Sequence, residues 1–421
     1  MRRWAGGGVF EVGASDKTEC CCLVLCIISV VMKSSADRIL TTHAGSLPRP
    51  KSLIALLTAG YAGKPVDGAT LAQSVEQATR AILARQIEAG LDIVNNGELG
   101  RESFFTYVQH RMTGFGGTST RPIMADLTRY PGSLERRRQA MATEEGVDLL
   151  KAPKAIAEVS YVNAAPIEHE CRQLQLLLKE TEGRFSEIFV SAPSPGIIAA
   201  AMQNDYYDNL EDYVNALAAA LRTEYATIAE SGFLLQIDAP DLALERHTLF
   251  QDKPLPEFLA FVRMVVAAIN RSLEGIPKEQ VRLHVCWGNY EGPHDCDVPL
   301  EDIWPEVSKI NAGAVMLSMA NPRHAHEYRL FEEPDFLGDR LLIPGVIETT
   351  TNYLEHPEVV ADRIERIAKA VGDPRRIIAG TDCGFETAAG SKMVIEEVVW
   401  AKLRSLAEGA RIASQRLFGL A

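Results

Sequence analysis

Cysteine is scarce over most of this chain. Of its 8 cysteines, Cys20, Cys21, Cys22 and Cys26 crowd near the start, leaving Cys171, Cys286, Cys296 and Cys383 for the rest. So few, so widely spaced, are no disulfide framework. An excess of positive charge is also missing: 43 Lys and Arg stand against 56 Asp and Glu, a formal net charge of -13. That balance argues against a nucleic-acid surface or an anionic-membrane surface. The apolar run from Cys20 to Met32 is shorter than the ~20 residues a spanning helix needs. Asp16 and Glu19 before it and Lys33 after it are the wrong flanks for a signal peptide. No GxGxxG follows the first predicted strand, which removes the main cue for a dinucleotide-binding fold.

What is present is an ordinary globular balance, 47% hydrophobic and 24% charged over 421 residues. Residues 1–36 differ from the rest and read as a disordered N-terminal extension, with Met32-Lys33 as an alternative beginning. The protein is expected in the cytoplasm. From 37 to 421 short apolar runs alternate with helical periodicity. Strands are predicted at Arg38–His43, Leu91–Glu98, Glu187–Pro193, Phe233–Asp238, Val281–Asn289, Ala314–Ser318, Arg340–Glu348 and from Ile377 to about Gly384. Helices are predicted between them, at 71–89, 103–112, 167–179, 210–231, 255–273, 300–309 and 359–370, and over 391–406 at the end. Residues 113–145 read as an inserted excursion, and 153–161 as an accessory strand in a hairpin over the mouth. Near-continuous apolar strands are those buried on both faces of a parallel sheet. Eight such units over this length fit an α/β fold of the (β/α)8 TIM-barrel type, a single domain.

In that fold the chemistry sits at the carboxyl ends of the strands. The residues collected there are Ser46, Glu98, Asp238, His284, Cys286, Ser318, Glu348 and Cys383. His284 and Cys286 are two apart on one strand, hence on one face, and offer an imidazole and a thiol to a metal such as zinc. Cys383 ends another short strand and would complete the set. Set against this, Cys is among the most buried residue types, so His-x-Cys alone is weak. A carboxylate in a βα loop is also often a helix cap, which weighs equally with function for Asp241 and Glu348. Cys296 and His294 lie close by in sequence as additional candidates.

Five segments carry a resemblance: Thr41-Thr-His-Ala-Gly-Ser46, Asn96-Gly-Glu98, Gln236-Ile-Asp-Ala-Pro240, His284-Val-Cys286 and Asp382-Cys-Gly384. In this order they resemble the motifs of the catalytic half of cobalamin-independent methionine synthase, over about residues 37–410. Cys286-Trp-Gly-Asn-Tyr-Glu-Gly-Pro-His294 and Asn321-Pro-Arg-His-Ala-His-Glu327 are similar to a single-barrel branch, which also resembles the epoxyalkane:coenzyme M transferases. The resemblance implies Zn held by His284, Cys286 and Cys383, with His43, Ser46, Glu98 and Asp238 contacting a homocysteine-like thiol. The implied partners are a small-molecule thiol and an alkyl donor, with no nucleic acid and no membrane; a homo-oligomer is compatible.

Two departures qualify it. Ser318 stands where the family has a fourth, glutamate ligand, for which Glu348 or Glu98 could substitute. There is also no second barrel, and the loop Ser194–Met202 lacks an aromatic for a pterin, although Tyr206 or Tyr207 could serve. The reading is a zinc-dependent thiol alkyltransferase, with methyl transfer to homocysteine as reference. Its rivals are epoxyalkane-type thiol alkylation, a decayed barrel that binds thiol or metal without turnover, and a metal-free decarboxylase needing basic residues such as Arg49, Lys51 and Arg101.

Overall fold

The computed structural model describes residues 31–143 and 146–420. The four N-terminal cysteines and most of the expected extension lie outside the described residues.

Eight parallel strands form one sheet: β1 (Leu40–Thr41), β2 (Ile93–Val94), β5 (Glu187–Pro193), β6 (Leu234–Asp238), β7 (Val281–Val285), β8 (Ala314–Leu317), β9 (Leu341–Ile347) and β10 (Ile378–Thr381). Their order is β1-β10-β9-β8-β7-β6-β5-β2. The two ends of that series meet: the Asp92 N–H donates to the Thr41 carbonyl at 3.2 Å, and Thr42 Oγ1 donates to the Ile93 carbonyl at 3.0 Å. The sheet is therefore a nearly closed barrel, as the alternating pattern predicts. Side chains pointing inward, among them Leu40, Ile93, Phe189, Leu234, Met316, Ile343 and Ile378, fill it as a separate apolar cluster. The larger cluster lies between the strands and the surrounding helices. Among the described residues no helix is long and apolar enough to cross a membrane.

The two shortest strands of the barrel, β1 and β2, lead into the turns that carry Ser46 and Glu98. After Thr41 and after Val94 the chain leaves the ladder for tight turns, with φ +141° at Gly45, +68° at Gly97 and +58° at Glu98. A non-glycine residue in the left-handed region is uncommon and clusters at functional sites. The turn at Glu98 is held by its own N–H donating to Asn96 Oδ1 at 3.0 Å.

Three sequence expectations need correction. Residues 32–35, assigned to the extension, are fastened to the floor of the barrel. The Met32 N–H donates to the Glu279 carbonyl, the Lys33 N–H to Glu187 Oε1 at 2.7 Å, and buried Ser35 bonds to the carbonyls of Arg375 and Ile377. Residues 103–112 form only a 3-10 turn, Thr106–His110, because Ser103 Oγ caps the Thr106 N–H and turns Phe105 into the core. The last helix is Glu396–Phe418, starting later and running further than the pattern suggests.

The excursion is ordered over its described residues. A two-stranded hairpin, β3 (Phe115–Gly116) with β4 (Lys154–Ala155), brackets helices Ala125–Arg129 and Pro131–Thr143. It lies over the carboxyl ends of the strands, where Tyr290 OH donates to Asp126 at 2.6 Å.

Candidate active site

The site is built on β7 and β10, which the barrel curves toward each other across its mouth. His284 is the fourth residue of β7, Cys286 is the first residue beyond it, and Cys383 stands two residues past β10. All three are buried, and one donor atom from each lies within 4.8 Å of the other two. The Cys286 and Cys383 sulfurs are 3.9 Å apart. That is far beyond the ~2.05 Å of a disulfide, and both cysteines are free. Among the described residues this is the one group of His, Cys, Asp and Glu with metal-ligand spacing.

The surroundings orient the side chains of this group. His284 Nδ1 is 3.1 Å from Asp238 Oδ1, and its Nε2 is 3.3 Å from the Asp382 carbonyl. A carboxylate on one ring nitrogen fixes the tautomer and frees the other for a metal. Burial opposes protonation of His284, but the Cys286 sulfur and Asp238 outweigh it and push the imidazole up to about 10. The Cys383 thiol, aided by His284, holds Cys286 well below the ordinary thiol range against its burial, while Cys383 itself lies well above it.

Asp382, not singled out by strand-end reasoning, clamps the loop after β8. Its carboxylate accepts the backbone N–H groups of Met319, Ala320 and Asn321 and the Asn321 side-chain amide, all at 2.8–3.0 Å. Its carbonyl accepts Ser318 Oγ at 2.8 Å. Ser318 therefore braces the loop that carries Cys383. Glu348 does not replace the missing fourth ligand: its carboxylate accepts from the N–H and hydroxyl groups of Thr350 and Thr351 in its own loop.

Beside the ligand group stands a pair of carboxylates. Asp238 ends β6 and accepts Gln236 Nε2 at 2.7 Å. Glu98 accepts Ser191 Oγ at 2.7 Å through Oε1, while its Oε2 is buried with no partner. Burial, then the nearby Asp238 charge, raises Glu98 to about 7, against the opposing pull of Arg101 and Arg49. A buried acceptor without a donor needs an explanation, and a cationic ligand supplies one. Gly45 is required here, since a Cβ would run into Glu98 Oε1. Gly384 likewise leaves room for Ser46 Oγ, and the Phe385 N–H donates to the Ser46 carbonyl at 2.9 Å.

The cavity these groups share has a volume of about 550 Å³, and Ser46, Glu98, Asp238, His284, Cys286 and Cys383 all line it. His43 does not; this corrects its expected substrate contact. It is fully buried behind the turn, where Nε2 meets Gln86 Oε1 at 2.9 Å and Nδ1 accepts the Gly45 N–H at 3.2 Å. Burial lowers its pKa to about 4, so it is a neutral brace for that turn. Arg282, also unforeseen, props the same turn from inside the barrel by donating to Thr42 Oγ1 and the His43 carbonyl, with its guanidinium 4.1 Å above the Phe189 ring. The remaining candidates fall elsewhere. His294, with His324 and His247, surrounds Asp297 at 2.8–2.9 Å. Cys296 sits in the same loop, apart from the ligand group. Asp241 accepts Ser194 Oγ under the loop after β5, as a brace there. Tyr207 stacks on Tyr213 in packing. Arg49 and Arg101 are buried in contacts to carbonyls and Glu170, so they offer no basic cluster for a polyanionic, decarboxylase-type substrate.

The barrel carries two thiols and an imidazole at its strand ends, with an acidic pair next to them and a cavity above. Similarity to known proteins gives the lineage. The family model described as "Cobalamin-independent synthase, Catalytic domain" matches residues 39–406, and the chain belongs to that family. Curated relatives include methionine synthase from Sulfurisphaera tokodaii, 22% identical over 378 residues (90% of this chain, 93% of that one). Another is methionine synthase from Saccharolobus solfataricus, 23% identical over 379 residues (90% and 95%). Among solved structures, a B12-independent methionine synthase from Shewanella sp. W3-18-1 in complex with selenomethionine shares the fold. Its TM-score is 0.68 at 22% identity, covering 91% of this chain and 100% of that one.

Proposed function

We propose that this protein is a cytoplasmic, zinc-dependent transferase that moves a methyl or other small alkyl group onto the thiol of a homocysteine-like amino acid. The carrying observation is the closure of His284, Cys286 and Cys383 to within 4.8 Å beside the Glu98–Asp238 pair. Two thiolates sharing a tetrahedral zinc at ~2.3 Å stand about 3.8 Å apart, and the two sulfurs here are 3.9 Å apart. Two thiols and an imidazole with an open fourth position is a recognised catalytic zinc set. His284, Cys286 and Cys383 would hold the zinc, whose chemistry would be to ionise an incoming thiol at neutral pH and keep it nucleophilic. Few cysteines and no disulfide among the described residues suit a reducing compartment.

The chain's own residues do the rest. Asp238 holds the His284 ring in place through Nδ1. Glu98 and Asp238 take the substrate ammonium by charge-assisted hydrogen bonds, which would aim its thiol toward His284, Cys286 and Cys383. Ser46 lies on the same wall for the substrate carboxylate. The buried walls keep water off the thiolate.

Calorimetric titration tests this reading. Homocysteine is expected to bind the zinc-loaded protein with release of about one proton, since its thiol (pKa ~8.5) ionises on binding. Coenzyme M, which has no ammonium for Glu98 and Asp238, is expected to bind at least tenfold more weakly. Equal affinity for both would remove the acidic pair from substrate recognition and favour the epoxyalkane-type alternative.

A further inference from the structure

The acceptor, placed by Ser46, Glu98 and Asp238, occupies only the floor of the cavity. The opposite wall comes from the insertion: Ile123, Met124, Leu134 and Leu149 face the same space as the ligand group, together with Arg137 and Arg138. Both arginines lie on the helix Pro131–Thr143. Neighbouring arginines are committed elsewhere: Arg121 pairs with Glu245, Arg129 with Asp295, and Arg136 with Glu291. Among the described residues, neither Arg137 nor Arg138 has a carboxylate partner. Asp148 also lines this wall, but its carboxylate accepts the Leu150 N–H and lies 3.4 Å from Lys151 Nζ. In a chain of formal net charge -13, Arg137 and Arg138 bring two guanidiniums to the lining of a cavity whose other charged groups include Glu98, Asp238 and Asp148.

We propose that this chamber is the donor site, and that it selects an alkyl donor with a short apolar body, a neutral electrophilic carbon and an anionic terminus held by Arg137 and Arg138. The inference rests on the thiol-transferase reading and adds the class of the second substrate. Guanidinium pairs well with carboxylate and sulfonate oxygens, the apolar wall covers the body, and the reactive carbon then faces the acceptor sulfur. A cationic donor such as a sulfonium meets like charge at the arginines. The transfer balances simply. The acceptor thiol gives its proton to solvent, its sulfur lone pair forms the new S–C bond, the bond from that carbon to the leaving group breaks, and the leaving group departs with that electron pair.

The test is a matched set of bromides with homocysteine as acceptor: 3-bromopropionate, 3-bromopropionamide and (2-bromoethyl)trimethylammonium. Each forms one S–C bond and releases bromide. The acid is expected to exceed the amide in kcat/KM by about tenfold, the worth of one charge-assisted hydrogen bond, and the cation to be slowest. In Arg137→Ala/Arg138→Ala the acid-to-amide ratio is expected to fall to about one. A ratio near one in the parent chain, or one that survives the double substitution, overturns the proposal. A second arm needs no turnover: butyrate should bind more tightly than butyramide by ligand-observed NMR, and the double variant should abolish the difference. Loss of all turnover with this butyrate preference intact would sink the transferase reading but not the anion site; no butyrate preference would sink the anion site whatever the turnover.

Discussion

Cys383→Ser is expected to leave a folded protein without stoichiometric metal and to lower thiol alkylation at least ~10³-fold, a loss of about 4 kcal/mol. The fold should survive, because the contacts that seat this residue are made by its backbone: the Cys383 carbonyl accepts Thr381 Oγ1 at 2.8 Å, and the loop is clamped by Asp382. The sulfur is what disappears. A serine hydroxyl does not ionise near neutrality and is a poor ligand for a borderline-soft cation. Ser318 stands in place of a carboxylate, Glu348 is engaged in its own loop, and among the described residues no other His, Cys, Asp or Glu joins the group. Metal analysis of the purified variant beside its melting curve gives the answer. Full metal content with an unchanged melt would remove Cys383 from the ligand set.

Glu98→Gln acts on the other half of the site. The acceptor KM is expected to rise about 10- to 100-fold, the cost of one charge-assisted hydrogen bond to the ammonium, with a smaller change in kcat. The parent enzyme should also show a pH dependence that the variant lacks. Glu98 titrates near 7 because burial and Asp238 disfavour its charge. Below pH 7 it is protonated and offers the ammonium no charge; above 7 it is ionised, so acceptor affinity should improve as pH rises through about 7. Stability of the ligand-free protein runs the other way. A carboxyl whose folded pKa is raised contributes stability at low pH that is lost as pH rises through that value. A Glu98→Gln enzyme that kept the parent KM and its pH profile would show that the ammonium is held elsewhere.

These two positions also show how much could be read from the sequence. The strands Glu187–Pro193 and Leu234–Asp238 were legible because burial on both faces leaves an almost unbroken apolar run. The convergence of His284, Cys286 and Cys383 was legible because two of them are two apart on such a strand and the third ends another. The braces were not. Asp382 sits next to Cys383, yet its role is to bind the β8 loop, a contact between residues 61 or more apart. Arg282 looks like an interruption in an apolar strand, and only the closed barrel shows that it supports the turn at His43. His43 belongs to the same motif as Ser46 but faces the opposite way, toward Gln86. The donor wall was hidden for a related reason. The helix Pro131–Thr143 packs little core, so its residues carry no strong periodicity and read as an excursion.

X-ray absorption at the metal edge of the purified protein, before and after homocysteine, tests the central claim most directly. The account predicts zinc with two sulfur neighbours at about 2.3 Å and one nitrogen at about 2.0–2.1 Å, and a third sulfur at the same distance once the thiol is added. A shell of oxygen and nitrogen alone, or a sulfur count that stays at two when homocysteine is saturating, would contradict it.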